Sequence, residues 1–200
     1  MPEKNITYYW LTLILGVIPL LLGLAVLTGW YVDNRTLIQV HPSFIPMQFN
    51  TALGFFLAAG GFIAVLKVRK QVASWCGGLT ASIGLLTLFQ YIWGVNLGID
   101  QLLMEHYITT ETSHPGRMAP NTALCFSLTG LTILLSALLN RLPSYRRVVT
   151  VSGLIIIFLG LSSFSGYLFE VDAAYGWGQL SKMAVHTALG FIVLGAGITI

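Results

Sequence analysis

Charge is what this sequence has least of. Lys, Arg, Asp and Glu make up 8% of its 200 residues, against 56% hydrophobic residues. A soluble domain carries about 25% charged residues, so a chain this poor in charge cannot cover a water-facing surface. Cysteine is scarce too: Cys76 and Cys125 fall in separate apolar runs, which argues against a disulfide framework. No nucleophile elbow, phosphate loop, HExxH helix or paired catalytic acids are present, so nothing reads as an enzyme. No acid falls mid-run where it could couple ions.

What is present is six apolar runs, at about 10–31, 48–66, 73–97, 120–139, 148–169 and 183–200. Most reach the ~20 residues needed to cross a ~30 Å hydrocarbon core. Their Gly, Ser and Thr content and the lack of a period-2 pattern argue against β-barrel strands. The expectation is an all-α membrane protein with six transmembrane helices. The first run is too long to be a cleaved signal peptide.

The net charge of +3 matters less than its placement. Lys4, Lys67, Arg69, Lys70, Arg141, Arg146 and Arg147 lie at the N-terminus and in two short loops, with Glu3 as the sole acid. The other three loops hold Arg35, Arg117 and Lys182 with all remaining acids. By the positive-inside rule the basic loops face the cytoplasm. This makes the chain a multi-pass membrane protein with both termini cytoplasmic and the motif copies at the outer, periplasmic or extracellular, side. The basic clusters report topology, so no nucleic-acid partner is expected; the lipid bilayer is the first partner.

One nine-residue pattern, Met-x-x-(Asn/His)-Thr-Ala-Leu-(Gly/Cys)-Phe, occurs three times, starting at Met47, Met118 and Met183. Internal repeats of this kind decide an architecture. Each copy opens an apolar run after a polar loop, and an aspartate (Asp33, Asp100, Asp172) ends the run before that loop. The unit is apolar run, Asp, loop, motif, apolar run. Three such units, at about 8–67, 73–139 and 148–200, form a single domain over 1–200. All run in the same sense, so the expected architecture is three tandem two-helix repeats about a pseudo-threefold axis along the membrane normal. His41-Pro42 and His114-Pro115 precede the first two copies. The third has Tyr175-Gly176-Trp177-Gly178, read as an aromatic turn on the membrane surface.

Within the motif, Met, the Asn/His and the Gly/Cys slot share one helix face at i, i+3, i+7. A small residue recurs two turns on, at Ala59, Gly130 and Gly195. Asn or His facing lipid is costly, so this face points into the bundle. On a pseudo-axis, Met47, Met118 and Met183 form one layer and Asn50, Asn121 and His186 the next, with Thr51, Thr122 and Thr187 beside them. Two readings follow. The ring is interhelical glue, or it lines an outward-open ligand pocket in which His186, able to titrate near neutral pH, reads the ligand. Further candidates lie in the outer loops: His41, Asp100, Glu105, His106, Glu111, His114 and Arg117. Three thioethers and an imidazole also suit copper or a haem axial site, but the histidines show no short ligand spacing. Haem, quinone and copper stay open as cofactors, with no metal ligand assigned.

Three smaller expectations concern the helices. Pro19 kinks the first unless neighbours take up the freed carbonyl. Trp30 and Tyr31 mark its outer end at the interface. Pro46 starts the second. The last run stops at Ile200 without a basic flank, which suggests a helix that continues and a chain that is the front of a longer protein.

The stretches 98–105 and 113–123, with 46–52 and 183–188 in the same pattern, resemble the N-terminal membrane-associated sensor (MASE-type) region of bacterial sensor histidine kinases and GGDEF/EAL cyclic-di-GMP proteins. The resemblance implies an input domain in a bacterial inner membrane whose helices signal to a cytoplasmic output module or partner kinase, in a homo-oligomer. It carries over no ligand site. A small transporter or channel, or a redox protein, is the rival reading.

Overall fold

A computed structural model describes residues 3–108, 114–139, 143–178 and 180–200, without the side chains of residues 3–5 and 172. The described chain is all-α apart from one isolated bridge between Gly176 and Lys182. Its helices are α1 (Glu3–Tyr31), α2 (Arg35–Gln39), α3 (Phe49–Leu66), α4 (Lys70–Trp93), α5 (Pro120–Leu138), α6 (Tyr145–Leu168), α7 (Asp172–Tyr175) and α8 (Val185–Thr199).

Five of these, α1, α3, α4, α5 and α6, are long and apolar enough to cross a membrane. The sixth expected span is α8, and it has only 15 residues. At about 1.5 Å per residue its described part reaches some 22 Å, and it runs to the last residue but one of the sequence. The run from Met183 overstates it because the motif's first two residues are extended, not helical. That start is the same in all three copies. Gln48, Ala119 and Ala184 hold φ of −64°, −62° and −69° with ψ of 151°, 151° and 150°, and a helix begins at the next residue. Pro120 takes the first helical position, where its missing N–H costs nothing. Pro46, by contrast, lies three residues ahead of α3, so it does not start the helix.

Pro19 sits inside a helix that runs unbroken from Glu3 to Tyr31. α4 ends on Gly94, whose φ of 64° only glycine holds without strain and whose N–H reaches the Gln90 carbonyl.

The helices form an inner and an outer set. In α5 67% of the spanning window is buried and in α3 56%, against 28%, 33% and 22% in α1, α4 and α6. Short α8 carries nine buried residues and joins the inner set. The outer helices turn Ile14, Leu21, Leu79, Leu154 and Phe158 outward, the apolar surface a lipid environment requires. α1 packs on α3, α4 on α5 and α6 on α8. Further contacts of α3 with α4, α5 with α6 and α8 with α1 close the circle.

These pairs meet through glycine. Gly16 and Gly23, Gly77 and Gly84, and Gly153 and Gly160 recur seven residues apart on α1, α4 and α6. A Cβ on Gly23, Gly84 or Gly160 would lie 2.7, 2.6 or 2.9 Å from the carbonyl oxygen of Ala52, Ala123 or Ala188, the alanine of each motif copy. On Gly77 and Gly153 it would lie 3.0 Å from the carbonyls of Gly130 and Gly195, two of the small residues beyond the motif. Only hydrogen at these positions lets the backbones come so close, which is how dispersion holds helices together in lipid.

Candidate functional site

The end of the bundle where α3, α5 and α8 begin gathers the motif residues; we call it the motif end, and the opposite end, carrying Lys67, Arg69, Lys70, Arg146 and Arg147, the basic end. Met47, Met118 and Met183 are all buried to 2% exposure or less, as part of the apolar core. Their backbone carbonyls are each held by an aromatic side chain from the preceding long helix. Trp30 Nε1 donates to Met47 O at 2.9 Å, Tyr91 Oη to Met118 O at 2.9 Å and Tyr167 Oη to Met183 O at 2.7 Å. Trp30, Tyr91 and Tyr167 each stand seven residues beyond the second glycine of their helix, so Gly-x6-Gly-x6-(Trp/Tyr) is a second repeated signature. It corrects the expectation for Trp30. Its ring is not an interface marker but is 3% exposed, while Tyr31 next to it is 71% exposed.

The polar position of each copy reaches toward the following part of the circle. Asn50 Nδ2 donates to the carbonyls of Ile99 at 2.9 Å and Asp100 at 3.2 Å. Asn121 Nδ2 donates to Ser163 Oγ at 3.1 Å and to the Tyr175 carbonyl at 3.4 Å, and its Oδ1 accepts from Thr122 N. His186, 7% exposed, faces the backbone of Ile38 with no hydrogen bond of ordinary geometry on either ring nitrogen. Thr51, Thr122 and Thr187 are buried, and Thr187 Oγ1 likewise has no described partner.

One turn below, the motif phenylalanines meet. Phe55, Phe126 and Phe191 are fully buried, with ring centroids 5.1 Å (Phe55–Phe126), 4.7 Å (Phe55–Phe191) and 4.8 Å (Phe126–Phe191) apart. This triangle is the convergence of the three copies. It needs the glycine slot beside it: a Cβ on Gly54 would lie 2.7 Å from the Phe126 ring and one on Gly190 2.7 Å from the Phe55 ring. Cys125, in the same slot, is fully buried.

Among the loop candidates, Asp100 and Arg117 belong together. Arg117 Nε donates to Asp100 Oδ2 at 2.8 Å, with side chains 2% and 9% exposed. Gln90 Nε2 donates to Asp100 Oδ1 at 3.0 Å while Gln90 Oε1 accepts from Leu97 N. The guanidinium lies 5.2 Å from the Tyr91 ring centre. A buried ion pair with this many partners ties the second loop to α4. A small hollow of about 160 Å³ beside it is lined by Asn96, Gln101, His114 and the pair itself. Burial, then the neighbouring guanidinium, push the His114 pKa down. His106 stands 5.7 Å from the Trp30 ring, and burial lowers its pKa as well. Tyr107 Oη donates to the Trp30 carbonyl, so the 101–108 loop folds back over the first motif copy. His41 is exposed, paired with Ser43 Oγ, and lies apart from the motif residues along a hollow with Arg35 and Gln39. Glu105 is exposed, and Glu111 lies outside the described residues.

The cavities described are lined elsewhere than by the Met, Asn/His and Thr positions of the motif. Among the described residues no three of His, Cys, Asp and Glu stand together as metal ligands. Gln90, Ser163 and the three aromatic donors tie the motif end together at positions that the motif alone does not point to. Comparison with protein-family models, curated proteins and solved structures returns no match.

Proposed function

We propose that the chain is a membrane-embedded sensory input domain of a bacterial signal-transduction protein, with six spans arranged as three two-helix units about a pseudo-threefold axis. The recurrent glycine contacts, the three aromatic-to-Met hydrogen bonds and the phenylalanine triangle support the threefold reading. α8 then spans with the help of the non-helical residues ahead of it.

The observation that carries the sensory reading is His186. Two of the three equivalent polar residues are tied into neighbouring units by well-formed hydrogen bonds, and the third is an imidazole whose contact with the Ile38 backbone falls short of that geometry. A buried polar group without a partner costs about 1–3 kcal/mol. A ligand or proton that satisfied it in one helix arrangement and not another would shift the balance between the two. α8, carrying His186 and packed on α6 and α1 through glycine contacts, is the element that would move and pass the change to a cytoplasmic histidine kinase or cyclic-di-GMP module. The outward faces of α1, α4 and α6 meet lipid or a second copy.

The test is a fusion of the chain to a cyclic-di-GMP-forming module, with product measured in membranes. His186→Asn should shift the output while thermal unfolding stays within a few degrees of the parent. An unchanged output removes His186 from the sensing role. Orientation is tested separately. A cysteine placed at exposed Leu102, in a Cys76→Ser, Cys125→Ser background, should react with an impermeant thiol reagent in spheroplasts. Labelling only after lysis would reverse the topology.

A further inference from the structure

The basic end is hollow. A cavity of about 370 Å³ opens there between α1, α3, α5, α6 and α8, within the size of small-ligand pockets. Its apolar wall includes Phe62, Val65, Ile133 and Ile198. Six hydroxyl-bearing residues also line it, Tyr145 and Thr150 together with Thr12, Thr132, Ser136 and Thr199, and the last four share one arrangement. Each of the four donates to a carbonyl one turn back in its own helix, at 2.7–2.8 Å. The protons of these four are therefore engaged, and hydrocarbon laid against them leaves none of the four unmet. The one cation in the lining is Arg146.

This cavity does not stop at the bundle's edge. Val65, Ser136 and Tyr145 also line a second hollow of about 110 Å³ that reaches Lys70. Val68 and Lys70 continue it into a shallow surface trough bordered by Arg69. Treated as one groove, the three adjoining hollows are cationic at the mouth and apolar at the floor.

We propose that this groove binds one anionic phospholipid, with the phosphate between Lys70 and Arg146 and an acyl chain along the wall of Phe62, Val65, Ile133 and Ile198. The charge arrangement selects the occupant. No acidic side chain lies among the described residues of the two basic loops or in the lining of the hollows, so a zwitterionic headgroup's ammonium meets none there, whereas a net negative headgroup meets two cationic ones. The inference is independent of the sensory reading, since it concerns occupancy alone.

Native mass spectrometry of the purified chain in detergent tests it, with phosphatidylglycerol and phosphatidylcholine of identical acyl chains, and with inorganic phosphate as competitor. One phosphatidylglycerol should be retained per chain, in clear excess over phosphatidylcholine, and phosphate should not displace it. Lys70→Ala with Arg146→Ala should weaken retention by about fivefold per cation, about thirtyfold together. Both side chains are exposed, so the fold should survive. Thr150→Trp, which fills the cavity without touching charge, should evict the lipid as well, and Arg35→Ala at the motif end should change nothing. Equal retention of the two lipids, or displacement by phosphate, would overturn the proposal, as would undiminished retention by the double variant.

Discussion

The two ends of this bundle are built on opposite plans. At the motif end, carbonyls, amides and one ion pair are knitted across the helices, and three phenyl rings close the middle. At the basic end the helices part around a cavity, and the charges stand in the open. Side-chain hydrogen bonds between distant parts of the chain cluster at the first end, whereas the hydroxyls of the second bond within their own helices. The difference teaches where rigidity resides. The motif end fixes how the three helix pairs stand relative to one another, and the basic end retains the room in which they can tilt.

The strongest way to break the contrast is at the ion pair. Arg117→Ala leaves Asp100 buried without its cation and should cost about 3–5 kcal/mol, read as a loss of unfolding free energy in detergent. Arg146→Ala, an equal change of charge at the other end, should cost almost nothing, because that side chain is exposed. Phe126→Ala should cost about 3 kcal/mol. Combined with Phe55→Ala it should cost less than the two single losses added, since the rings touch.

Close helix contact gives a third test. Gly130→Ala would thrust a methyl into the backbone of Ala81 and should destabilise by about 1–3 kcal/mol. Gly78→Ala, on the same helix pair but facing open space, should be neutral or slightly stabilising. The smallest effect is on pH. The fold holds His106 and His114 below the ordinary histidine value, by burial in both and by Arg117 in the second. The unfolded chain therefore binds more protons as pH falls through 6.5, and stability declines on the acid side while staying level above it. His106→Asn with His114→Asn should flatten that decline in thermal melts recorded from pH 7 to pH 5.

How much of this was legible in the sequence varies with the range of the interaction. The apolar runs yielded the helices because length and composition are local quantities. The motif marked the inner helices, since Asn50, Asn121 and His186 cannot face lipid cheaply. The start of α8 was hidden because Met183 and Ala184 are apolar yet lie ahead of the helix. Trp30 was misread because an aromatic at a helix end looks the same whether it meets headgroups or a carbonyl seventeen residues on. Gln90 gave no signal: its partners Asp100 and Leu97 become neighbours only after the loop has turned back on α4. The seven-residue glycine spacing was visible on the page, but its meaning depends on the helix it meets.

The phenylalanine triangle has an electrical consequence. Three rings with centroids 4.7–5.1 Å apart fill the centre of the bundle where the motif copies meet, so a file of water or hydrated ions between its ends would have to pass around them. Should the hollow at the basic end fill with solvent or a headgroup, a voltage across the membrane would fall over the packed layer from the motif methionines to Phe55, Phe126 and Phe191, thinner than the whole bilayer, and the field there would be steeper than in the surrounding lipid.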